Sequence, residues 1–236
     1  MIGCLVIHGY TGGPYELEPL TSFLQEHTNW HIKVPVLPGH GKKLSLEDTT
    51  YQEWIQAAEN TLLQLKEKYE RIYIIGFSMG GMIAAYLAGK HHVDKLVLLA
   101  TAGKYLSWKQ IMVDLAALVE DGFKGNLKRN KLYLHYRKKW GAVPFKANLE
   151  FMKLVKFTRK HLKDVHSPVL IAQGHCDSLV PYKTAYFLEK EISSKKKEIV
   201  FFDKSRHLMC LGSDKDTLNM LVYQFLEKEG TATESH

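Results

Sequence analysis

The sequence has no long hydrophobic run. No stretch of its 236 residues approaches the roughly 18 consecutive apolar residues of a membrane-spanning helix. The first residues, Met1 to Ile7, carry neither a basic segment nor an extended apolar segment ahead of a cleavage site, so no secretory signal is predicted. We therefore expect a soluble, cytoplasmic protein.

Cysteine is also scarce. The three cysteines, Cys4, Cys176 and Cys210, are an odd number and show no CxxC spacing. This argues against a disulfide framework and against a zinc site, and it fits a reducing compartment. Repeats and low-complexity tracts are absent, and 45% hydrophobic residues are enough for a sizeable single core, so a disordered chain is excluded.

Acidic residues are few in one part of the chain. Between Gly103 and Val165 there are fifteen Lys and Arg against five Asp and Glu, a net charge of +10, while the whole chain carries +7 and the remainder −3. Such a segment suits nucleic acid, an anionic membrane surface or an acidic substrate, but the default interpretation of a run of charges is a solvated helical face.

Nucleic acid is the least suited of these partners. Three aromatic residues, Tyr133, Tyr136 and Trp140, lie among the basic residues of this segment. However, the sequence has no helix-turn-helix, RNP-like or zinc-finger pattern. We expect no nucleic-acid partner.

Short apolar runs alternate with segments of helical periodicity. The predicted strands are Ile2–Ile7, His31–Val36, Arg71–Gly76, Lys95–Ala100, Pro168–Gln173 and Glu198–Phe202. The predicted helices between and after them are Glu16–His27, Tyr51–Tyr69, Met79–His91, Lys183–Ile192 and Ser213–Glu229. Several strands are apolar almost throughout, as in parallel strands covered on both faces, so the order predicts a doubly wound α/β sheet with right-handed crossovers.

One interval interrupts this alternation. From Lys104 to about His166 there is no convincing core strand, but there are helical patches at Ile111–Val119 and Leu149–Leu162. The interval is too long for an unstructured connection, so we predict a helical cap at 103–166 inserted into a core formed by 1–102 and 167–236.

A nucleophile pattern follows the third predicted strand. Gly76-Phe77-Ser78-Met79-Gly80 opens the helix that starts at Met79, which is the context in which G-x-S-x-G forms a tight turn presenting the serine at the top of a sheet. A serine hydroxyl needs a base and an orienting carboxylate to become a good nucleophile. The pattern predicts Ser78 as the nucleophile.

The partners of this serine are expected later in the chain, acid before base, in loops that follow strands. Asp177 follows the strand Pro168–Gln173, and His207, one of twelve histidines, follows the strand Glu198–Phe202. Asp203 competes for the acid role, but it lies four residues before His207 on the same loop. We predict Asp177 as the acid and His207 as the base.

Acyl transfer also needs donors for the developing oxyanion. Met79, the residue after the serine, offers one backbone N–H, and we assign the other to Tyr10 in the loop His8-Gly9-Tyr10-Thr11-Gly12-Gly13. This loop matches neither G-x-G-x-x-G nor a P-loop, so nucleotide binding is not expected.

These motifs, together with Pro38-Gly39-His40-Gly41, resemble the α/β-hydrolase superfamily, and more narrowly its small bacterial carboxylesterases and monoacylglycerol lipases. The resemblance implies an α/β-hydrolase fold and a serine carboxylic-ester hydrolase for short- to medium-chain acyl esters such as monoacylglycerols. It implies no metal or cofactor, and it carries over Ser78, Asp177, His207, Tyr10 and Met79 in the roles given above. His40 and Trp54 are expected to be structural.

Other functions use the same residues. The superfamily includes thioesterases, acyltransferases, peptidases and carbon–carbon hydrolases, as well as small-molecule receptors with slow or no turnover. A serine at the turn argues against dehalogenases and epoxide hydrolases, which place an aspartate there.

The predicted partners are a small-molecule ester and, through the basic cap, an anionic lipid surface.

Overall fold

The strands form one parallel sheet. In the computed structural model, which describes residues 1–41, 43–103 and 143–228, the sheet order is β2-β1-β3-β4-β5-β6 and every neighbouring pair is parallel. The strands are β1 (Ile2–Ile7), β2 (His31–Lys33), β3 (Arg71–Phe77), β4 (Lys95–Leu99), β5 (Val169–Gly174) and β6 (Lys197–Phe202). The predicted parallel α/β sheet is confirmed.

Six α-helices accompany the sheet within the described ranges. They are α1 (Glu18–His27), α2 (Tyr51–Lys66), α3 (Met79–Lys90), α4 (Phe145–Arg159), α5 (Lys183–Glu191) and α6 (Lys215–Glu227). Inward-pointing residues of α2, α3, α4 and α5 share one buried cluster with one set of strand residues, such as Leu5 and Ile74. Residues of α1 and α6 share a second cluster with the alternate set, such as Val6 and Ile75. Helices therefore cover both faces of the sheet.

Several predicted boundaries differ from the structure, and in three elements a proline or a 3₁₀ turn accounts for the difference. Strand β2 ends at Lys33 rather than Val36, because Pro35 has no N–H to donate to the neighbouring strand β1. Helix α1 begins at Glu18 because Pro14–Glu16 forms a separate 3₁₀ turn. Helix α4 spans Phe145–Arg159 rather than Leu149–Leu162: Pro144 precedes its first turn, and a second 3₁₀ turn occupies Leu162–Asp164.

The segment predicted to form an inserted cap, 103–166, is described at Gly103 and from residue 143 onwards. Helix α4 packs against α2 and α3. The predicted helical patch Ile111–Val119 lies outside the described residues, and the division into core and cap stays a prediction. Among the helices that the structure describes, none combines the length and the apolar character needed to cross a membrane.

The sheet has a point where the direction of its connections reverses. Strands β1 and β3 are neighbours, but the chain leaves β1 towards β2 on one side and leaves β3 towards β4 on the other. In open α/β sheets the loops diverge at such a point and leave a crevice at the carboxyl ends of the strands. The Ser78 turn and the His8 to Gly13 loop follow these two strands.

A buried lysine lies at the opposite end of the sheet. Lys95, the first residue of β4, is 6% exposed. Its Nζ donates hydrogen bonds to the carbonyl oxygens of Phe225 (2.7 Å) and Leu226 (3.2 Å), and to that of Lys228, at the C-terminal end of α6. Burial lowers the pKa of this amine. Lys95 thereby ties the last helix to the middle of the sheet.

Candidate active site

Ser78 occupies a strained turn between β3 and α3. Its φ of 54° and ψ of −115° lie where non-glycine residues are rarely found, and its N–H donates to the carbonyl of Leu99 at 2.9 Å. The flanking glycines make the turn possible. A Cβ at position 76 would lie 2.4 Å from the carbonyl oxygen of Gly80, and one at position 80 would lie 2.3 Å from that of Ile7. The predicted sharp turn is present.

Three predicted residues meet in one chain of hydrogen bonds. His207 Nε2 lies 3.0 Å from Ser78 Oγ, and His207 Nδ1 lies 2.9 Å from Asp177 Oδ2. All three side chains are buried. Because the Asp177 oxygen accepts from Nδ1, that nitrogen carries the proton, and Nε2 is left as an acceptor for the serine O–H.

Asp177 is held by further donors. Its Oδ1 accepts backbone N–H bonds from Leu179 and Val180, both at 2.9 Å. Its Oδ2 accepts from Gln173 Nε2 at 2.9 Å in addition to His207. The carboxylate is therefore fixed in one orientation towards the imidazole.

The competing acid lies elsewhere. Asp203 Oδ1 pairs with His175 Nδ1 at 2.8 Å, and its side chain is 87% exposed. The His175 ring in turn stacks on Phe201, with 4.8 Å between ring centroids. Asp203 takes no part in the hydrogen bonds that join His207 to Ser78.

Two histidines and a tryptophan brace the loops beside the serine. His40 Nδ1 donates to the carbonyl of Pro38 (2.9 Å) and its Nε2 accepts from the N–H of Thr11 (3.2 Å). His8 is buried and bridges Gly9 and Leu37 in the same way. Trp54 Nε1 donates to the Pro38 carbonyl at 3.0 Å. The predicted structural roles of His40 and Trp54 agree with these bonds.

Tyr10 and Met79 occupy equivalent places beyond neighbouring strands. Ile7 of β1 is paired with Gly76 of β3, and each of the two residues lies three positions further on. Met79 is the first residue of α3, and the first N–H groups of a helix have no partner within that helix. Both residues thus follow neighbouring strands at the edge of the sheet where Ser78 lies, and the role of their backbone N–H groups as oxyanion donors stays a prediction.

Three polar residues around this site were not predicted from the sequence. Gln173 binds Asp177, the buried carboxylate of Glu16 accepts the N–H of Gly9 at 3.0 Å, and Asn148 accepts the O–H of Tyr10 at 2.7 Å. A polar residue at the end of the apolar strand β5 is a usable signal for Gln173. Glu16 and Asn148 give no such local signal.

The arrangement can perform nucleophilic chemistry with protein groups alone: an imidazole oriented by a carboxylate can remove the proton of a serine hydroxyl. Among residues 1–41, 43–103 and 143–228, no group of three or more His, Cys, Asp or Glu side chains is placed to hold a metal ion.

Known proteins are similar to this chain in sequence and in fold. The chain is 28% identical to a thermostable monoacylglycerol lipase from Bacillus sp. (strain H-257) over 96% of this chain and 91% of the relative. It is 23% identical to a carboxylesterase from Bacillus subtilis (strain 168) over 95% and 92%. A solved structure from work on the metagenome-derived lipolytic enzymes LipS and LipT superposes with a TM-score of 0.79 at 21% identity, covering 97% of this chain and 94% of that one.

More than half of the sequence matches one protein family. Residues 5–151 match the family described as the alpha/beta hydrolase fold, a range that includes the Tyr10 loop, the Ser78 turn and the start of α4. The chain therefore belongs to the α/β-hydrolase fold family.

Proposed function

We propose that this protein is a serine carboxylic-ester hydrolase that acts through an acyl-enzyme, with Ser78 as nucleophile, His207 as base and Asp177 as acid. The observation that carries the proposal is the buried chain of hydrogen bonds from Ser78 Oγ through His207 to Asp177, at 3.0 Å and 2.9 Å. These distances are within the range required of a nucleophile and its base.

Acylation begins when His207 Nε2 takes the proton of Ser78 as Oγ attacks the ester carbonyl. The carbonyl oxygen becomes an oxyanion, which accepts hydrogen bonds from the backbone N–H groups of Tyr10 and Met79. Asp177 stabilises the imidazolium and keeps its ring oriented. His207 then returns the proton to the leaving alcohol, and the acyl group remains on Ser78.

Deacylation repeats these steps with water. His207 Nε2 takes a proton from a water molecule, whose oxygen attacks the acyl carbonyl, and the same N–H groups hold the second oxyanion. The proton then passes to Ser78 Oγ, and the carboxylic acid leaves. No redox or metal step is required in either half of the cycle.

The substrates we propose are short- to medium-chain acyl esters, with monoacylglycerols as the leading class. Support comes from the relatives, since the chain covers nearly the whole of a monoacylglycerol lipase and of a carboxylesterase. A panel of glycerides, p-nitrophenyl esters and acyl thioesters tests this proposal. If thioesters were turned over faster than esters, the protein would be a thioesterase rather than a carboxylic-ester hydrolase.

The direct test is Ser78→Ala. We expect hydrolysis of p-nitrophenyl butyrate to fall by at least about 10⁴-fold with the fold retained, because the other groups cannot supply a nucleophile. The matched control is Ser194→Ala. Ser194 is also buried, but its Oγ donates to the carbonyl of Lys196 in the turn before β6, so this variant should keep full activity. Near-normal turnover in Ser78→Ala would refute the assignment.

Labelling separates an enzyme from a receptor-like relative. A fluorophosphonate should label wild-type protein stoichiometrically at Ser78 and should not label Ser78→Ala. Absence of labelling in folded wild-type protein would favour a small-molecule receptor.

A further inference from the structure

Asn148 links the inserted segment to the loop that follows β1. It lies in α4, outside the elements that carry Ser78, Asp177 and His207, and it is 6% exposed. Its Oδ1 accepts a hydrogen bond from the Tyr10 hydroxyl at 2.7 Å, across 138 residues of sequence. A buried side chain of the insertion thus binds directly to the loop proposed to supply an oxyanion donor.

The direction of this hydrogen bond is determined by its surroundings. Burial raises the pKa of the Tyr10 phenol well above its usual range, so the hydroxyl stays protonated and acts as the donor. Asn148 presents its carbonyl oxygen as the acceptor. The bond is therefore insensitive to pH across the range in which an esterase is assayed.

The Tyr10 ring is confined as well as its hydroxyl. It stacks on Phe151, one helical turn beyond Asn148, with centroids 4.8 Å apart and planes only 8° from parallel. Trp54 contacts it edge-on at 5.8 Å. Helix α4 therefore supplies both the hydrogen-bond acceptor and the stacked ring that hold the Tyr10 side chain.

The backbone on each side of Tyr10 is anchored by the core. The N–H of Gly9 donates to Glu16 at 3.0 Å, and that of Thr11 donates to His40 at 3.2 Å. Thr11 has a φ of 59°, and glycines follow it at positions 12 and 13. The side chain of Tyr10 is a third anchor, and α4 holds it.

We propose that Asn148 is a positioning residue: by binding the Tyr10 hydroxyl, it keeps the backbone N–H of Tyr10 oriented towards the oxyanion. The proposal rests on the ester-hydrolase function and on Tyr10 as a donor. Loss of a whole oxyanion donor costs about 10²–10³ in kcat in a comparable protease, so misalignment of one donor should cost less, about tenfold.

The test is a double-mutant cycle with Asn148→Leu and Tyr10→Phe. The first variant retains the branched shape of the side chain, although it is somewhat larger, and removes the acceptor; the second retains the ring and its stacking without the hydroxyl. We expect each single variant to lower kcat on p-nitrophenyl butyrate about tenfold with KM changed by less than twofold. The double variant should be no slower than the slower single variant, because both changes remove the same bond.

Two controls separate positioning from general destabilisation. Asn219→Leu removes another buried asparagine, whose Nδ2 donates to the Pro19 carbonyl at 3.3 Å between α6 and α1, and it should keep kcat even if its melting temperature falls. If Asn148→Leu does not fold, Tyr10→Phe still tests the bond, since it leaves α4 intact.

Three outcomes would overturn the proposal: unchanged kcat in both single variants, additive losses in the double variant, or a raised KM with unchanged kcat, which would make Asn148 a substrate contact. Ser78→Ala is measured in parallel. An active Ser78→Ala would refute the proposed function itself, whereas an inactive Ser78→Ala with fully active Asn148→Leu would refute only the positioning role.

Discussion

Asp177 and Asp203 follow neighbouring strands of the sheet, and the two carboxylates lie in opposite environments. Asp177 is buried and accepts from His207, Gln173 and two backbone N–H groups. Asp203 is exposed and pairs with His175 on the surface. Asp203 lies four residues before His207 and Asp177 thirty residues before it. The same substitution at each position therefore compares a buried aspartate with an exposed one.

Asp177→Asn should lower kcat far more than Asp203→Asn. An amide at position 177 can no longer hold His207 with its Nδ1 protonated, which cost about 10⁴ in kcat in a comparable triad. Asp203→Asn should stay within about twofold of wild type, since it removes only a solvated ion pair. The measurement is kcat on p-nitrophenyl butyrate, and equal losses or the reverse order would show that the acid is wrongly assigned.

The meeting of Ser78, His207 and Asp177 could be predicted because each follows a recognisable strand and the spacing of Gly76, Ser78 and Gly80 is dictated by steric contacts. The residues that support them could not be predicted in the same way. Asn148 and Tyr10 are 138 residues apart, and no local pattern in either segment encodes their contact. Such pairs appear only when the fold brings distant elements together.

At the level of elements, α4 is attached to the core at the beginning of α2. Glu150 is buried; its Oε2 accepts the N–H of Tyr51, the first residue of α2, at 3.1 Å, and its Oε1 accepts from Lys153 at 2.6 Å. Burial alone would raise the pKa of Glu150, but the bonds from Lys153 and Tyr51 outweigh it and lower the pKa below its usual value. The attachment therefore depends on an ionised carboxylate.

This dependence predicts a pH signature for Glu150→Gln. A carboxyl whose folded-state pKa is lowered contributes stability above its unfolded pKa, about 4.3, and the contribution is lost as the pH falls through the folded-state pKa. The melting temperature of wild type should therefore exceed that of Glu150→Gln at neutral pH, and the difference should shrink in acid. The control is Glu191→Gln, which changes an exposed glutamate of α5 and should leave the melting temperature at neutral pH unchanged. A difference that stays constant from about pH 7 to about pH 3 would contradict the prediction.

The elements themselves were largely predictable. Strands covered on both faces have nearly continuous apolar sequences, so five of the six predicted strands are correct to within one residue at each end. Several errors arise where a single proline or a 3₁₀ turn decides the boundary, as at Pro35 beside β2 and Pro144 before α4, while the predicted end of α2 at Tyr69 is three residues too late. These boundaries depend on individual bonds, which periodicity does not reveal.

For the whole molecule, charge is divided unevenly along the chain. The segment from Gly103 to Val165 carries +10 and the remainder −3. The four basic residues Lys128, Arg129, Lys138 and Lys139, and the aromatic residues Tyr133, Tyr136 and Trp140, lie outside the described residues. Their predicted attraction to anionic lipid surfaces therefore rests on charge alone.

Reversing those four charges to glutamate tests this attraction. Each basic residue near an anionic membrane is worth about 1 kcal/mol, so hydrolysis of monoacylglycerol in anionic vesicles should fall at least about tenfold. Turnover of a soluble neutral ester should be unchanged, and added salt should reduce the wild-type advantage on vesicles. If the variant hydrolysed both the vesicle substrate and the soluble ester as fast as wild type does, the basic residues would belong to a solvated face without a lipid partner.

The acceptors that Lys95 binds lie far later in the chain, so they are made long after Lys95 itself. A ribosome releases β4 130 residues before the carbonyl of Phe225 exists, and during that interval the lysine amine lacks the acceptors that it finds at the end of α6. Burying a charged amine without its partners is unfavourable, so the emerging chain gains by keeping this end of the sheet open. The hydrogen bonds that compensate for burying Lys95 are therefore available only after the last helix has been synthesised.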